Sequence, residues 1–206
     1  MTPTILKKAK PVFGPRSNGI LMTPAEFDRA NFKRGWRYEL INGVLIVSPT
    51  PSEGELDPNE ELGRWLRNYR EDHPEGKCLD KTTMERTIRL GNDRRRVDRA
   101  IWIGLGRIPK PTDPPTVAVE FVSKRKRDRQ RDYVTKRDEY MAAKVKEYWV
   151  FDRYDRCLVV FTRQGGKIKQ LVIRENQVYK TPLLPGFELP VAKLLALADE
   201  WKPEAK

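Results

Sequence analysis

The sequence predicts a mixed α/β sheet with a central βαβ crossover and antiparallel hairpins at its flanks, and three stretches carry that reading. The first is Pro115 to Asp152, PTVAVEFVSKRKRDRQRDYVTKRDEYMAAKVKEYWVFD, in which two apolar strand patterns bracket a polar helical one. Strand, helix and strand at this spacing form a βαβ unit, with parallel strands and a right-handed crossover. The second is RYELINGVLIVS at residues 37–48, where Asn42-Gly43 between apolar runs is the strongest short hairpin signal. The third is a pair of strand patterns at 157–162 and 168–174, joined through Gly165-Gly166.

Residues 1–22 are rich in Pro, Gly and Lys without periodicity, which predicts a flexible basic tail. Thr23-Pro24-Ala25-Glu26 combines an N-cap, a proline at the first helical position and an acid at the third, opening a helix to about Phe32. After the hairpin, residues 49–55 read as a loop. Asp57-Pro58-Asn59-Glu60 repeats the capping logic and starts a helix to about Arg70, whose Leu62, Trp65, Leu66 and Tyr69 form a core-facing stripe. Strand patterns at 77–80 and 84–90 precede a turn at Gly91-Asn92-Asp93, and residues 96–103 return as a strand. A Gly/Pro-rich connection at 104–115 leads into the βαβ unit, whose helix spans about 128–143. Val178-Tyr179 reads as a short strand. Pro190 opens a final helix to about Ala198, with Val191, Leu194, Leu195 and Leu197 buried. The expected organisation is one domain over 23–200 and a short tail at 201–206.

Within 206 residues, 41 Lys and Arg face 29 Asp and Glu, a net charge of +12 that favours a polyanionic partner. Two cysteines and one histidine, His73, exclude a disulfide framework and disfavour a tetrahedral zinc site. Any metal here is therefore hard and oxygen-bound. No apolar run reaches transmembrane length, and the amino terminus lacks a signal-peptide core, so the expected setting is cytoplasmic, without membrane.

Glu120 is a lone carboxylate in the apolar run TVAVEFVS, and a charge there needs a partner or a metal. Asp98 lies in RVDRAIWI, the preceding strand; if the two strands pair, both carboxylates meet at one sheet edge. Oxygen-only clusters of this kind bind Mg²⁺ or Mn²⁺. Lys136 sits on the helix of the βαβ unit, on a face anchored by Tyr133 and Tyr140, and leans over the sheet edge towards the end of the Glu120 strand. Lys124, Arg125, Lys126 and Arg127 follow that strand directly and are placed to neutralise phosphates. Taken singly, Asp98 is equally a salt-bridged strand end, Glu39 an exposed hairpin residue and Lys136 a solvated lysine.

The order RYELINGVLIVSPTP, RVDRAIWI, VAVEFVS, Asp132-xxx-Lys136-xxx-Tyr140 and KEYWVFD resembles the Uma-type putative restriction endonuclease family, of the PD-(D/E)XK nuclease superfamily. The resemblance covers about residues 23–200. It implies a restriction-endonuclease-like core that uses divalent metal to cut DNA. By position it makes Asp98 the metal-binding aspartate, Glu120 the acid of the second motif and Lys136 the helix-borne replacement for a strand lysine. Glu39, the acid of the early hairpin, becomes a third candidate metal ligand or an orienting group. Val97 replaces the proline of the superfamily signature, Val122 occupies the strand-lysine position, and Asn59 falls where relatives often carry histidine.

Two readings follow: a Mg²⁺- or Mn²⁺-dependent DNA endonuclease, or a nucleic-acid-binding module on a nuclease scaffold that no longer cuts. A membrane-surface or protein-interaction role is a weaker third, because the 128–143 helix is too polar. A homodimer is left open.

Overall fold

The computed structural model describes residues 11–123 and 126–201 and divides into two compact units. One takes residues up to Thr50 together with Gly91–Arg95; the other takes Pro51–Leu90 and the chain from Arg96 onward. The sequence predicts one domain over 23–200.

In the first unit, β1 (Val12–Phe13) pairs in parallel with β2 (Asn31–Phe32), and a 3₁₀ turn follows at Pro15–Ser17. The expected tail is therefore structured from Val12, because Phe13 and Met22 join a cluster with Phe27, Phe32, Tyr38, Leu40 and Leu45. Helix α1 (Pro24–Arg29) has the capping box its sequence announces. Thr23 Oγ1 accepts from the Glu26 amide at 3.2 Å, and the Glu26 carboxylate accepts from the Thr23 amide at 2.7 Å. It ends before Phe32, whose ring stacks on Tyr38. Strands β3 (Trp36–Ile41) and β4 (Val44–Pro49) form the antiparallel hairpin, with Asn42 and Gly43 at φ 50° and 75° as a type I′ turn demands.

In the second unit, α2 (Glu53–Asp72) begins four residues before the predicted Asp57 start. The reason is an earlier capping box, Ser52-Glu53-Gly54-Glu55, whose Glu55 carboxylate accepts from the Ser52 amide and hydroxyl at 2.7 and 2.8 Å. Pro58 thus sits inside the helix and forgoes one backbone hydrogen bond. Strand β5 runs unbroken over Leu79–Leu90, where the sequence suggests two pieces with a break at 81–83, and Glu85 within it has φ 50°. Next come β6 (Asp93–Ile103, of which Arg96 onward belongs to this unit), β7 (Val117–Phe121), α3 (Lys126–Gln130), a π-helical turn (Arg131–Lys136), α4 (Arg137–Ala142) and β8 (Glu147–Asp152). The chain continues through β9 (Cys157–Gln164), β10 (Lys167–Arg174), β11 (Val178–Tyr179), β12 (Leu189–Pro190) and α5 (Val191–Glu200).

The strand order in this unit is β10-β9-β8-β7-β6, with β5 also on β6. Strands β7 and β8 pair in parallel, which makes 117–152 the expected βαβ unit. Alternation along β7 splits the core in two. Val117, Val119 and Phe121 pack with Leu62, Leu66 and Leu194 of α2 and α5, whereas Ala118 and Val122 pack with Tyr140 and Met141 of α4.

Candidate active site

Glu120 shares its sheet face with Ala118 and Val122, the face under α4, and is 2% exposed. The helix above it is not regular. A π-helical turn accommodates an additional residue and is frequent at functional sites. Here the turn carries Asp132 and Lys136, both buried. Lys136 Nζ lies 2.8 Å from Glu120 Oε2 and 3.2 Å from Asp132 Oδ1. Tyr140, one turn on, donates its hydroxyl hydrogen to Glu120 Oε1 at 2.9 Å. Tyr148 on β8 donates to the Asp132 carbonyl at 3.0 Å. Lys136 reaches Glu120 as the helical spacing suggests, but it is enclosed at 2% exposure and does not lean over an edge.

Asp98 lies on β6 one residue beyond the Arg99↔Val119 pair, at the same level as Glu120 on β7. Its Oδ2 accepts from the Phe121 amide at 2.8 Å, so its carboxylate is fixed beside the residue that follows Glu120. The Tyr148 phenol is pushed well above its usual value, first by burial and then by the charges of Glu120, Asp132 and, more weakly, Asp98. Three carboxylates thus act on one buried hydroxyl.

The other expected residues stand differently. Glu39 belongs to the first unit, where it is buried with Oε2 3.9 Å from Arg95 Nη1. Lys124 and Arg125 lie outside the described residues, as does the Lys126 side chain; the Arg127 side chain is 88% exposed. Asn59, in the place of a histidine, is a structural link: its Nδ2 donates to the Asp98 carbonyl at 2.9 Å and its Oδ1 accepts from Arg99 Nε at 2.7 Å.

Sequence reasoning overlooked Asp132 as a partner of Lys136, although the i,i+4 spacing of the two was visible. It also overlooked Glu55, hidden by the competing Asp57-Pro58 start. The Glu55 carboxyl is raised above its ordinary value, chiefly by burial and further by the Asp98 charge, against the Ser52 hydrogen bonds and the Arg153 charge. A raised carboxyl means the fold favours its protonated form. The stability it contributes is full below the ordinary Glu range of ~4.3 and is lost as pH rises through the raised value. Glu55→Gln preserves the capping box and is expected to flatten the fall in melting temperature between pH ~4 and neutrality. An unchanged pH profile would mean that burial does not raise the Glu55 carboxyl.

The sequence profile of the Uma2 family, described as "Putative restriction endonuclease", matches residues 24–192. The chain belongs to the Uma2 family. The Uma2 match encloses Glu39, Glu55, Asp98, Glu120, Asp132 and Lys136. A crystal structure of a putative nuclease from Anabaena variabilis ATCC 29413 is similar in fold to this Uma2 chain. It aligns with a TM-score of 0.67 at 15% identity, over 86% of this chain and 99% of that one. No curated protein matches the sequence. Among the described residues of this Uma2 chain, no helix is long and apolar enough to cross a membrane, and no three His, Cys, Asp or Glu side chains gather into a metal cage.

Proposed function

We propose that this Uma2 protein is an endonuclease that hydrolyses DNA phosphodiester bonds with the help of Mg²⁺ or Mn²⁺. The observation that carries the reading is the 2.8 Å contact between Lys136 and Glu120, on a strand whose own lysine position holds Val122. It supports a site in which the helix supplies the cation that the strand lacks. Asp98 and Glu120 offer hard carboxylate oxygens from adjacent strands, the donor chemistry that suits Mg²⁺ or Mn²⁺. When bound, such an ion polarises the phosphorus centre and lowers the pKa of an attacking water.

The chain's own residues do the rest. The Phe121 amide fixes Asp98 and the Tyr140 hydroxyl fixes Glu120, through hydrogen bonds of 2.8 and 2.9 Å. Lys136 places a positive charge where negative charge develops on the scissile phosphate, in surroundings dry enough for that charge to count. The basic stretch 124–127 and the net charge of +12 suit a polyanionic substrate.

The rival reading, a module that binds nucleic acid without cutting, is favoured by the engagement of the Lys136 ammonium with two carboxylates. Incubation of plasmid and single-stranded DNA with Mg²⁺ or Mn²⁺, with chelator controls, decides between them. Metal-dependent nicking is the expected result. Binding without any metal-dependent cleavage of DNA or RNA would leave the rival.

A further inference from the structure

On the α2 side of the sheet, away from Lys136, a cavity of about 260 Å³ is lined by Glu60, Arg67, Thr82, Thr83, Met84 and Arg99. We infer that it is an anion site that takes a phosphoryl group.

Arg99 is the central observation. Arg99 is 2% exposed, and burying a charge is costly unless it is paired. Yet no carboxylate among the described residues lies within ion-pair distance of it, and its hydrogen bonds go to neutral oxygens. Nε donates to Asn59 Oδ1 at 2.7 Å, Nη2 to the Asn59 carbonyl at 2.5 Å and Nη1 to Thr82 Oγ1 at 3.0 Å. Three of the five N–H donors of a guanidinium are thereby committed, and two are left. The position is built rather than incidental. Gly63 of α2 faces it, and a Cβ there would stand 2.5 Å from Arg99 Nη2.

A second cation, Arg67, lines the same cavity. Burial and the Arg67 charge together bring the Arg99 guanidinium down to about 10, with Glu60 acting in the opposite sense. Two repelling cations, one of them buried, are the electrostatic complement of an anion. The Thr83 hydroxyl, which also lines the cavity, is buried with no hydrogen-bond partner among the described residues. Two guanidiniums and an idle hydroxyl are the donors that phosphate oxygens accept from. The volume lies below the roughly 300–1,000 Å³ of typical small-molecule pockets, which suits one phosphoryl group with little attached.

That chemistry has two sources, a backbone phosphate of a polynucleotide or a free phosphoanion. Only the polynucleotide source rests on the nuclease reading, and binding without metal tests the site independently of cleavage. Titration calorimetry in chelator, with inorganic phosphate and with a short oligonucleotide, should give binding of at least one. Arg67→Glu and Thr83→Val, at an exposed and a half-buried position, should fold as the parent does and weaken that binding ~10-fold or more, about 1.4 kcal/mol. Glu60→Gln should strengthen it. Oligonucleotide that competes with phosphate and loses about one unit of salt slope in Arg67→Glu identifies the backbone. Phosphate binding that oligonucleotide does not displace identifies a free anion. No binding of either ligand by the parent, or binding indifferent to both Arg67→Glu and Thr83→Val, overturns the inference.

Discussion

Lys136→Ala is expected to lower cleavage by ~10²-fold or more, on the scale of losing one transition-state donor, and to destabilise the fold as well. The second effect follows from burial. Glu120, Asp132 and Lys136 are each at most 3% exposed, and the lysine lies within ion-pair distance of both acids. Removing one partner of a buried pair strands the other charge and costs roughly 3–5 kcal/mol. Denaturant unfolding measures that loss directly. The double variant Lys136→Met with Glu120→Gln removes both charges of the closer contact and should recover much of the stability but none of the cleavage. A single variant as stable as the parent would mean that the ammonium is solvated. Full cleavage by Lys136→Ala would move the cationic role elsewhere in the chain.

Asp98 gives the second large effect, and two substitutions separate its duties. Asp98 Oδ2 accepts from the buried Phe121 amide. Asp98→Ala leaves that amide without its acceptor, a loss of about 1–3 kcal/mol. It also removes a candidate metal ligand. Asp98→Asn can keep the amide bond through its carbonyl oxygen while discarding the charge. The expected pattern is a weakened fold for alanine, a near-parental fold for asparagine, and loss of Mn²⁺ binding and cleavage in both. Calorimetric titration with Mn²⁺ reads the metal arm. Undiminished Mn²⁺ binding by Asp98→Asn would sink the assignment of Asp98 as a ligand.

Much of the fold was legible because local signals and burial agreed. Asn42-Gly43 fits only a tight hairpin, Thr23 to Glu26 only a helix start, and the apolar runs at 117–121 and 147–152 only buried strands. The start of α2 was misread because two capping signals follow one another within nine residues, and Ser52 with Glu55 prevails over Asp57 with Pro58. Val12 and Phe13 were too short a run to be seen as a strand, since their stability comes from distant aromatic partners. In the site, Glu120 was exposed by its context, a charge among β-branched neighbours. The Asn59–Arg99 link was invisible, because its partners stand 40 residues apart and only the packing of α2 on β6 brings them together. The burial of Lys136 was equally hidden, because a helix that reads as regular contains a turn that is not.

That turn sets a limit on how the chain can change in length. Residues 131–136 hold one more residue than an α-helical path needs. Each residue advances an α-helix by ~100°. A one-residue deletion there would restore regular winding and swing Tyr140 away from Glu120 relative to α3, although every side chain of the site survived. Substitutions on the outer side of these turns, at Thr135 or Asp138, touch none of this. The helix thus tolerates spelling changes but not a change in its count, whereas the Gly/Pro-rich connection at 104–115 can gain or lose a residue without disturbing the phase of any side chain in the site.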